Sequence, residues 1–301
     1  MATRRKVIGV ITVPLNPNRA YVGVCGDSYI SSSYIDWLKG VGLEILPIPY
    51  TTTKHKYYFE RVNSLYFPGG SVFASNDLAY YKCCKAFFEL AMEANDRGDY
   101  FPLWGVCLGM QQMMIIVDGK DNMNLLERFD SYNDLKLPLH FTTDGLKGRL
   151  MTYLLDHNPD MVKILMDQPL SINNHMMGLS PASFNKNPKL QSFFRIVSYN
   201  YDRQGKAFVS TIEAKKYPFY GVQWHPESIA FFYDLANFLW KETSKNQHNK
   251  TLPKHMELQH QILNCTRHTG LYKVCHFYWS KAIPKKKRKA CQSGNIAIRT
   301  D

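Results

Sequence analysis

The sequence predicts an α/β protein with a mostly parallel sheet sandwiched by helices, and three observations carry that prediction. Short apolar runs alternate with segments of helical periodicity from Lys6 to Val117. Glycine or proline punctuates the junctions, as in Pro68-Gly69-Gly70 after one apolar run. Trp104-Gly105-Val106-Cys107-Leu108-Gly109-Met110 sets a cysteine on the turn between a buried-strand pattern and a helical one. Strands and helices alternating at this rhythm imply right-handed crossovers and a parallel sheet covered on both faces.

Taken in order, Lys6 to Val13 reads as the first buried strand, stopped by Pro14. Ser28 to Val41 repeats Tyr29, Ile30, Tyr34, Ile35, Leu38 and Val41 at near-helical spacing, with Ser28 as cap and Gly42 as stop. Glu44 to Ile48 is the second strand and Thr51 to Val62 includes a short helix. Ser64 to Phe67 is a third strand that runs into Pro68-Gly69-Gly70-Ser71. Asp77 to Arg97 carries an apolar face through Leu78, Tyr81, Phe88 and Ala91 and stops at Gly98. Phe101 to Val106 then leads to Cys107, and Gln111 to Val117 is the following helix.

Between Asn122 and Phe208 the pattern is weaker. Leu135 to Phe141, Ile172 to Leu179 and Phe193 to Tyr199 read as extended, Leu146 to Asp156 and Asp160 to Met166 as helical. Lys206 to Glu213 and Phe219 to Trp224 flank a Lys215-Lys216-Tyr217-Pro218 turn, as in a hairpin or a pair of neighbouring strands. Ile229 to Lys241 closes the domain as an aromatic-rich helix. This organisation gives one domain over residues 1–243 and a basic, flexible tail over 244–301.

Charge separates the two parts. Of 37 basic and 25 acidic residues, 13 and 3 fall from Lys241 onward, a net of +10, which leaves 24 and 22 before it, a net of +2. A nearly neutral domain gives no reason to expect nucleic acid as its substrate. Pro284-Lys285-Lys286-Lys287-Arg288-Lys289 reads as a solvated tail, as a nuclear-import peptide or as a contact with polyanions. Cys265-x-x-His268 and Cys275-His276 match no standard zinc spacing. The apolar run at Val7 to Val13 is too short for a membrane span, and no signal-peptide cleavage site follows it. With seven irregularly spaced cysteines, these features lead to the expectation of an intracellular protein with reduced thiols, in the cytoplasm or, through Pro284–Lys289, the nucleus.

The chemistry centres on Cys107. Gly105-x-Cys107-x-Gly109 is a cysteine version of the nucleophile elbow, in which small neighbours let the backbone take a strained turn. A helix N-terminus follows it, and the positive end of a helix dipole favours an anionic sulfur. The alternative is a buried structural cysteine in a tight connection. A thiol nucleophile needs a base, and that base needs a group to hold its ring; His225 and Glu227, two residues apart after the last apolar strand, offer both. In a parallel sheet, the ends of the strands before Gly69-Gly70, Cys107 and His225 can meet at one pocket.

Together, Phe67-Pro68-Gly69-Gly70-Ser71, Trp104-Gly105-Val106-Cys107-Leu108-Gly109 and Tyr220-Gly221-Val222-Gln223-Trp224-His225-Pro226-Glu227 resemble the class I glutamine amidotransferase superfamily, whose sheet is flavodoxin-like. Tyr29-Ile30-x3-Tyr34, Gly98-Asp99-Tyr100-Phe101-Pro102, Leu137-Pro138-Leu139-x-Phe141-Thr142 and Tyr217-Pro218-x-Tyr220 narrow the resemblance to the gamma-glutamyl hydrolases of peptidase family C26, over roughly residues 5–240. That resemblance implies Cys107 as nucleophile, His225 as general base and acid, and Glu227 orienting His225. It implies an oxyanion hole from the amides of Gly70 and Leu108. His175 aligns with a second histidine near the family's active site, with an ordinary loop histidine as the alternative; His175 and Ser71 are the candidate substrate-binding residues. The implied reaction is hydrolysis of γ-linked glutamyl amides, with folate poly-γ-glutamates as substrate, no metal or organic cofactor, and a homodimer as the expected assembly. Two other readings use the same residues: a glutaminase subunit supplying ammonia to a separate synthetase, and a non-catalytic binding module on the same fold. The chain departs from the family's pattern after Glu227, where it passes almost directly into the closing helix, and in its basic tail.

Overall fold

The computed structural model describes residues 6–15, 27–70, 78–119, 123–229, 232–253 and 275–278. Five strands alternate with helices as expected: β1 (Val7–Ile11), β4 (Glu44–Ile48), β5 (Ser64–Phe67), β6 (Leu103–Val106) and, much later, β12 (Phe219–Val222). They pair in parallel in the order β4-β1-β5-β6-β12. Beyond β12 the sheet continues antiparallel through β11 (Ala207–Ala214), β10 (Phe194–Tyr201) and β8 (His140–Phe141). This is the mostly parallel, helix-covered sheet that the sequence predicts, with an antiparallel wing on one side.

Side-chain alternation along each strand feeds two cores. Leu65, Phe67 and Leu103 point to the face covered by α3 (Leu78–Asp96) and α4 (Leu108–Asp118). Their neighbours Tyr66 and Trp104 point to the face covered by α1 (Ser32–Gly40), α5 (Arg149–His157), α6 (Pro159–Asp167) and α9 (Tyr233–Lys245). Strands buried on both faces are near-continuous apolar runs, which is why these are readable from sequence. The short helix expected within Thr51 to Val62 is α2 (His55–Phe59).

Several expectations are corrected. Ser28–Ser31 is a strand, β3, and the helix begins only at Ser32. Tyr29 and Ile30 suit a strand as well as a helix, and here β3 pairs with β2 (Val13–Pro14) and with β13 (Cys275–Tyr278). Ser28 is therefore not the cap, which is Ser31. The middle region holds an 11-residue strand, β7 (Glu127–Leu137), that starts well before Leu135 and forms a two-stranded ribbon with β9 (Ser171–Gly178). Two short helices, α7 (Pro181–Asn185) and α8 (Pro188–Phe193), add to the expected set, and α9 starts four residues later than expected because Pro226–Ser228 forms a 3-10 turn first.

Past α9 the chain stays on the body: the Asn246 carbonyl accepts from Lys6 Nζ at 2.5 Å, and His248 Nε2 lies 2.8 Å from Asp99 Oδ2. The Pro284–Lys289 run, Cys265 and His268 lie outside the described residues. No helix among the described residues is long and apolar enough to cross a membrane.

One buried carboxylate ties the second layer to the sheet. Glu213 on β11, 1% exposed, accepts the N–H groups of Arg149 and Leu150 at 2.9 and 3.0 Å, so it caps α5, whose own N-cap residue is a glycine. Removing the acceptor leaves two N–H groups without it in a place where water does not replace it. Glu213→Ala is expected to cost about 2–3 kcal/mol, read as a lower urea midpoint.

Candidate active site

Three adjacent strands end at one point. Phe67 of β5 is in register with Gly105 of β6, and Val106 of β6 with Val222 of β12. The turns that follow, Pro68-Gly69-Gly70, Cys107 and Gln223 to Glu227, therefore leave the same edge of the sheet, where ligands collect in open α/β folds.

Cys107 is an elbow in the literal sense. Its backbone sits at φ 50°, ψ −106°, a costly conformation for a non-glycine residue, between β6 and the first turn of α4. The Cys107 N–H donates to the Val222 carbonyl at 2.7 Å, and its own carbonyl accepts from Gln111 N at 3.1 Å. The flanking glycines are required by close approach: a Cβ at Gly105 would lie 2.6 Å from Met113 Sδ and 2.8 Å from Gly109 C, and one at Gly109 would overlap the Phe67 carbonyl.

His225 lies against the cysteine. A Cβ placed on Gly69 would stand 3.0 Å from His225 Cε1 and 3.3 Å from Cys107 Cβ, and would overlap the Tyr34 hydroxyl, so all three groups meet around this glycine. His225 Nδ1 is 2.8 Å from Glu227 Oε1, with both side chains almost fully buried. Because a carboxylate only accepts, Nδ1 carries the proton of that bond. Nε2 has no hydrogen-bond partner among the described residues. Burial opposes a charged ring, but the Glu227 carboxylate and the Cys107 sulfur outweigh it and hold the His225 pKa well above the ordinary histidine value. A thiol, an imidazole with one nitrogen tethered and the other left over, and a buried carboxylate can together run nucleophilic acyl transfer.

Gly70 faces the start of α4: a Cβ there would lie 3.1 Å from Leu108 Cδ2. Leu108 opens that helix, where N–H groups lack intrahelical acceptors. The two segments that carry the amides expected from the sequence are thus in contact beside the cysteine. Ser71 lies outside the described residues.

His175 is placed on β9, which touches the site through the His225 N–H to Ile172 carbonyl bond of 2.8 Å. Its Nδ1–H donates to the Met177 carbonyl at 3.0 Å, its ring packs edge-on against Phe208 at 4.8 Å, and Nε2 is buried without a partner among the described residues. Burial lowers its pKa to about 3, helped by the charge of His225 and opposed by the bond to Met177. Two residues that the sequence reading does not assign to the site also help to build it. Gln111, one turn into α4, donates to the Met177 carbonyl at 2.8 Å and to Gln223 Oε1 at 3.2 Å. Tyr34 lies with its hydroxyl 3.2 Å from His225 Nδ1 and accepts the Gly69 N–H at 3.0 Å. For Tyr34 the available signal is a phenol on an otherwise apolar helix face, since a buried tyrosine hydroxyl needs a partner.

A thiol poised on such an elbow, at the edge of a sheet of this order, places the protein among the class I glutamine amidotransferase-like α/β proteins. Within that class the peptidase C26 family model matches residues 6–227, and the chain belongs to this family. It is similar to the human gamma-glutamyl hydrolase, 36% identical over 248 residues that cover 74% of each chain. The rat gamma-glutamyl hydrolase is 33% identical over 82% of this chain and 80% of its own, and gamma-glutamyl hydrolase B of Dictyostelium discoideum 30% identical over 80% and 73%. Among solved structures, a Thermoplasma acidophilum protein described as a GMP synthase subunit shares the fold with a TM-score of 0.52 at 12% identity, over 80% of this chain and 96% of that one.

Two outcomes follow from this geometry. Gly69→Ala is expected to displace the glycine turn from Tyr34 and His225 and to lower kcat by about 10²-fold, comparable to loss of one oxyanion donor, with the urea midpoint measured alongside. For His175 the folded pKa of about 3 lies below the ordinary value of 6.5, so the unfolded chain takes up the proton first. The stability gained from burying it neutral is complete above pH 6.5 and is lost as pH falls toward 3. Relative to His175→Gln, the parent is expected to lose roughly 2–3 kcal/mol of unfolding free energy between about pH 6.5 and 4.5, measured by urea denaturation at both.

Proposed function

We propose that this protein hydrolyses γ-glutamyl amide bonds, with folate poly-γ-glutamates as substrate, through a thioester on Cys107. One observation carries the reading: Cys107, His225 and the Gly69-Gly70 turn converge at the ends of three neighbouring strands. Membership of the peptidase C26 family and similarity to gamma-glutamyl hydrolases over most of their length support the bond that is cut.

In this reaction the Cys107 sulfur attacks the γ-carbonyl while His225 holds the proton on Nε2. Negative charge builds on the carbonyl oxygen, within reach of the amides of Gly70 and Leu108. Collapse breaks the C–N bond, the proton on His225 passes to the leaving amine, and the acyl group remains on sulfur. Water then attacks the thioester, giving its proton to His225, and the free glutamyl acid departs as the thiolate returns. Glu227, bonded to Nδ1, keeps Nε2 aimed at the sulfur and stabilises the charged ring in both halves of the cycle. His175, neutral and with Nε2 free of protein partners among those described, is a hydrogen-bond acceptor for the substrate.

Product analysis on pteroyl-polyglutamate with the parent and Cys107→Ala proteins tests this. Turnover is expected to fall by about 10⁴-fold or more in Cys107→Ala, with the folded state retained. Cys107→Ala cleaving at the parent rate would sink the assignment, and ammonia from free glutamine in place of cleavage of a diglutamyl peptide would shift it to the glutaminase reading.

A further inference from the structure

Tyr34 lies on α1, an element that supplies none of the residues assigned to the reaction above. Its side chain is fully buried, and its ring packs against that of Tyr66 on β5 with centroids 5.5 Å apart. The hydroxyl oxygen reaches two functional elements at once. It accepts the Gly69 N–H at 3.0 Å, and it lies 3.2 Å from His225 Nδ1. The proton on Nδ1 points to Glu227 Oε1 at 2.8 Å, so toward that nitrogen the Tyr34 oxygen can act only as a second acceptor. A hydroxyl oxygen has two lone pairs, one for each N–H.

We propose that Tyr34 is a positioning residue for the hydrolysis, one whose hydroxyl oxygen fixes the glycine turn and the catalytic histidine relative to each other. The inference rests on the assignment of Cys107 and His225 as the reacting pair. Holding the Gly69 N–H fixes the Pro68–Gly69 peptide, the one just before the peptide that carries the Gly70 amide, and so restrains the turn that aims that amide. Holding the Nδ1–H steadies the ring about the axis that aims Nε2 at the sulfur. Both the donor for the developing oxyanion and the proton carrier are then referenced to one rigid phenol, and both matter more in the transition state than in the bound substrate.

The groups that face His225 are few enough to make this measurable. Glu227 comes from its own turn, Cys107 from the start of α4, His175 from β9 and Tyr34 from α1, with the Tyr66 ring of β5 packed against that of Tyr34. Of these, Glu227, Cys107 and Tyr34 offer the charged ring an acceptor or negative charge.

Tyr34→Phe keeps the ring against Tyr66 and removes only the oxygen. In the full-length protein, kcat on pteroyl-polyglutamate is expected to fall by about 10- to 100-fold with KM within about threefold of the parent. The pH at which the His225 ring loses its proton, followed by NMR of labelled histidine without substrate, is expected to move down by about half a unit to one unit, because the protonated ring loses an acceptor. The urea midpoint reports on folding in the same samples. Parent-like kcat with an unmoved titration overturns the proposal. So does a loss of activity that comes with a lower urea midpoint and an unmoved titration, since that is packing alone. If the parent cleaves no γ-glutamyl amide but the His225 titration moves in Tyr34→Phe, the proposed reaction fails while the placement of Tyr34 on the histidine stands.

Discussion

One hydrogen bond holds the candidate site together: the Cys107 N–H donating to the Val222 carbonyl at 2.7 Å. It is the last rung of the parallel ladder between β6 and β12, placed where the first strand is about to turn into a helix. Cys107 takes its positive φ at that rung, so the strain of the elbow is carried by pairing on one side and by α4 on the other. The same carbonyl belongs to the strand that delivers His225 three residues later. The separation of Cys107 and His225 is thereby set largely by sheet register, with His225 on the short turn that follows β12. The glycines at 69, 105 and 109 are the steric condition for it, since each stands where a Cβ would meet backbone or the side chains of Tyr34, His225 and Cys107.

Electrostatics then divides two neighbouring histidines. His225 has a carboxylate on one nitrogen and a sulfur near the ring, and these overcome burial to favour its charged form. His175 has a backbone carbonyl on one nitrogen and aromatic surroundings, and burial wins. The charge on the first also discourages charge on the second, so their pKa values are pushed in opposite directions. Two imidazoles whose pKa values are driven apart are suited to different tasks.

Much of this is legible in the sequence because the parallel strands are buried on both faces and appear as unbroken apolar runs, and because the elbow and the His225-Pro226-Glu227 turn are local signals. The ribbon of β7 and β9 is only half legible, for a physical reason. Glu127–Leu137 is largely polar, its register slips between Arg128 and Ser131 and again before Leu135, and Asn133 and Asp134 adopt positive φ, so its side chains follow no period of two. The short helices α7 and α8 announce their starts through Ser180 and Asn187, which accept N–H groups ahead of a proline, but neither is long enough to show a helical period. Ser28–Ser31 reads as helix from its own residues because its strand partners are distant in sequence. For the same reason the part played by Tyr34, 191 positions before His225, belongs to no local pattern.

The position of β12 in the sheet has a bearing on biosynthesis. It is inserted between β6, which is made early, and β11, which is made just before it, so it joins the two halves of the chain. During translation the strands that carry the glycine turn and Cys107 emerge and can pair well before β12 exists. Until that strand docks, Cys107 lacks both the carbonyl that pins its backbone and the His225 ring beside it. The cysteine and the histidine therefore come together only in the step that closes the sheet.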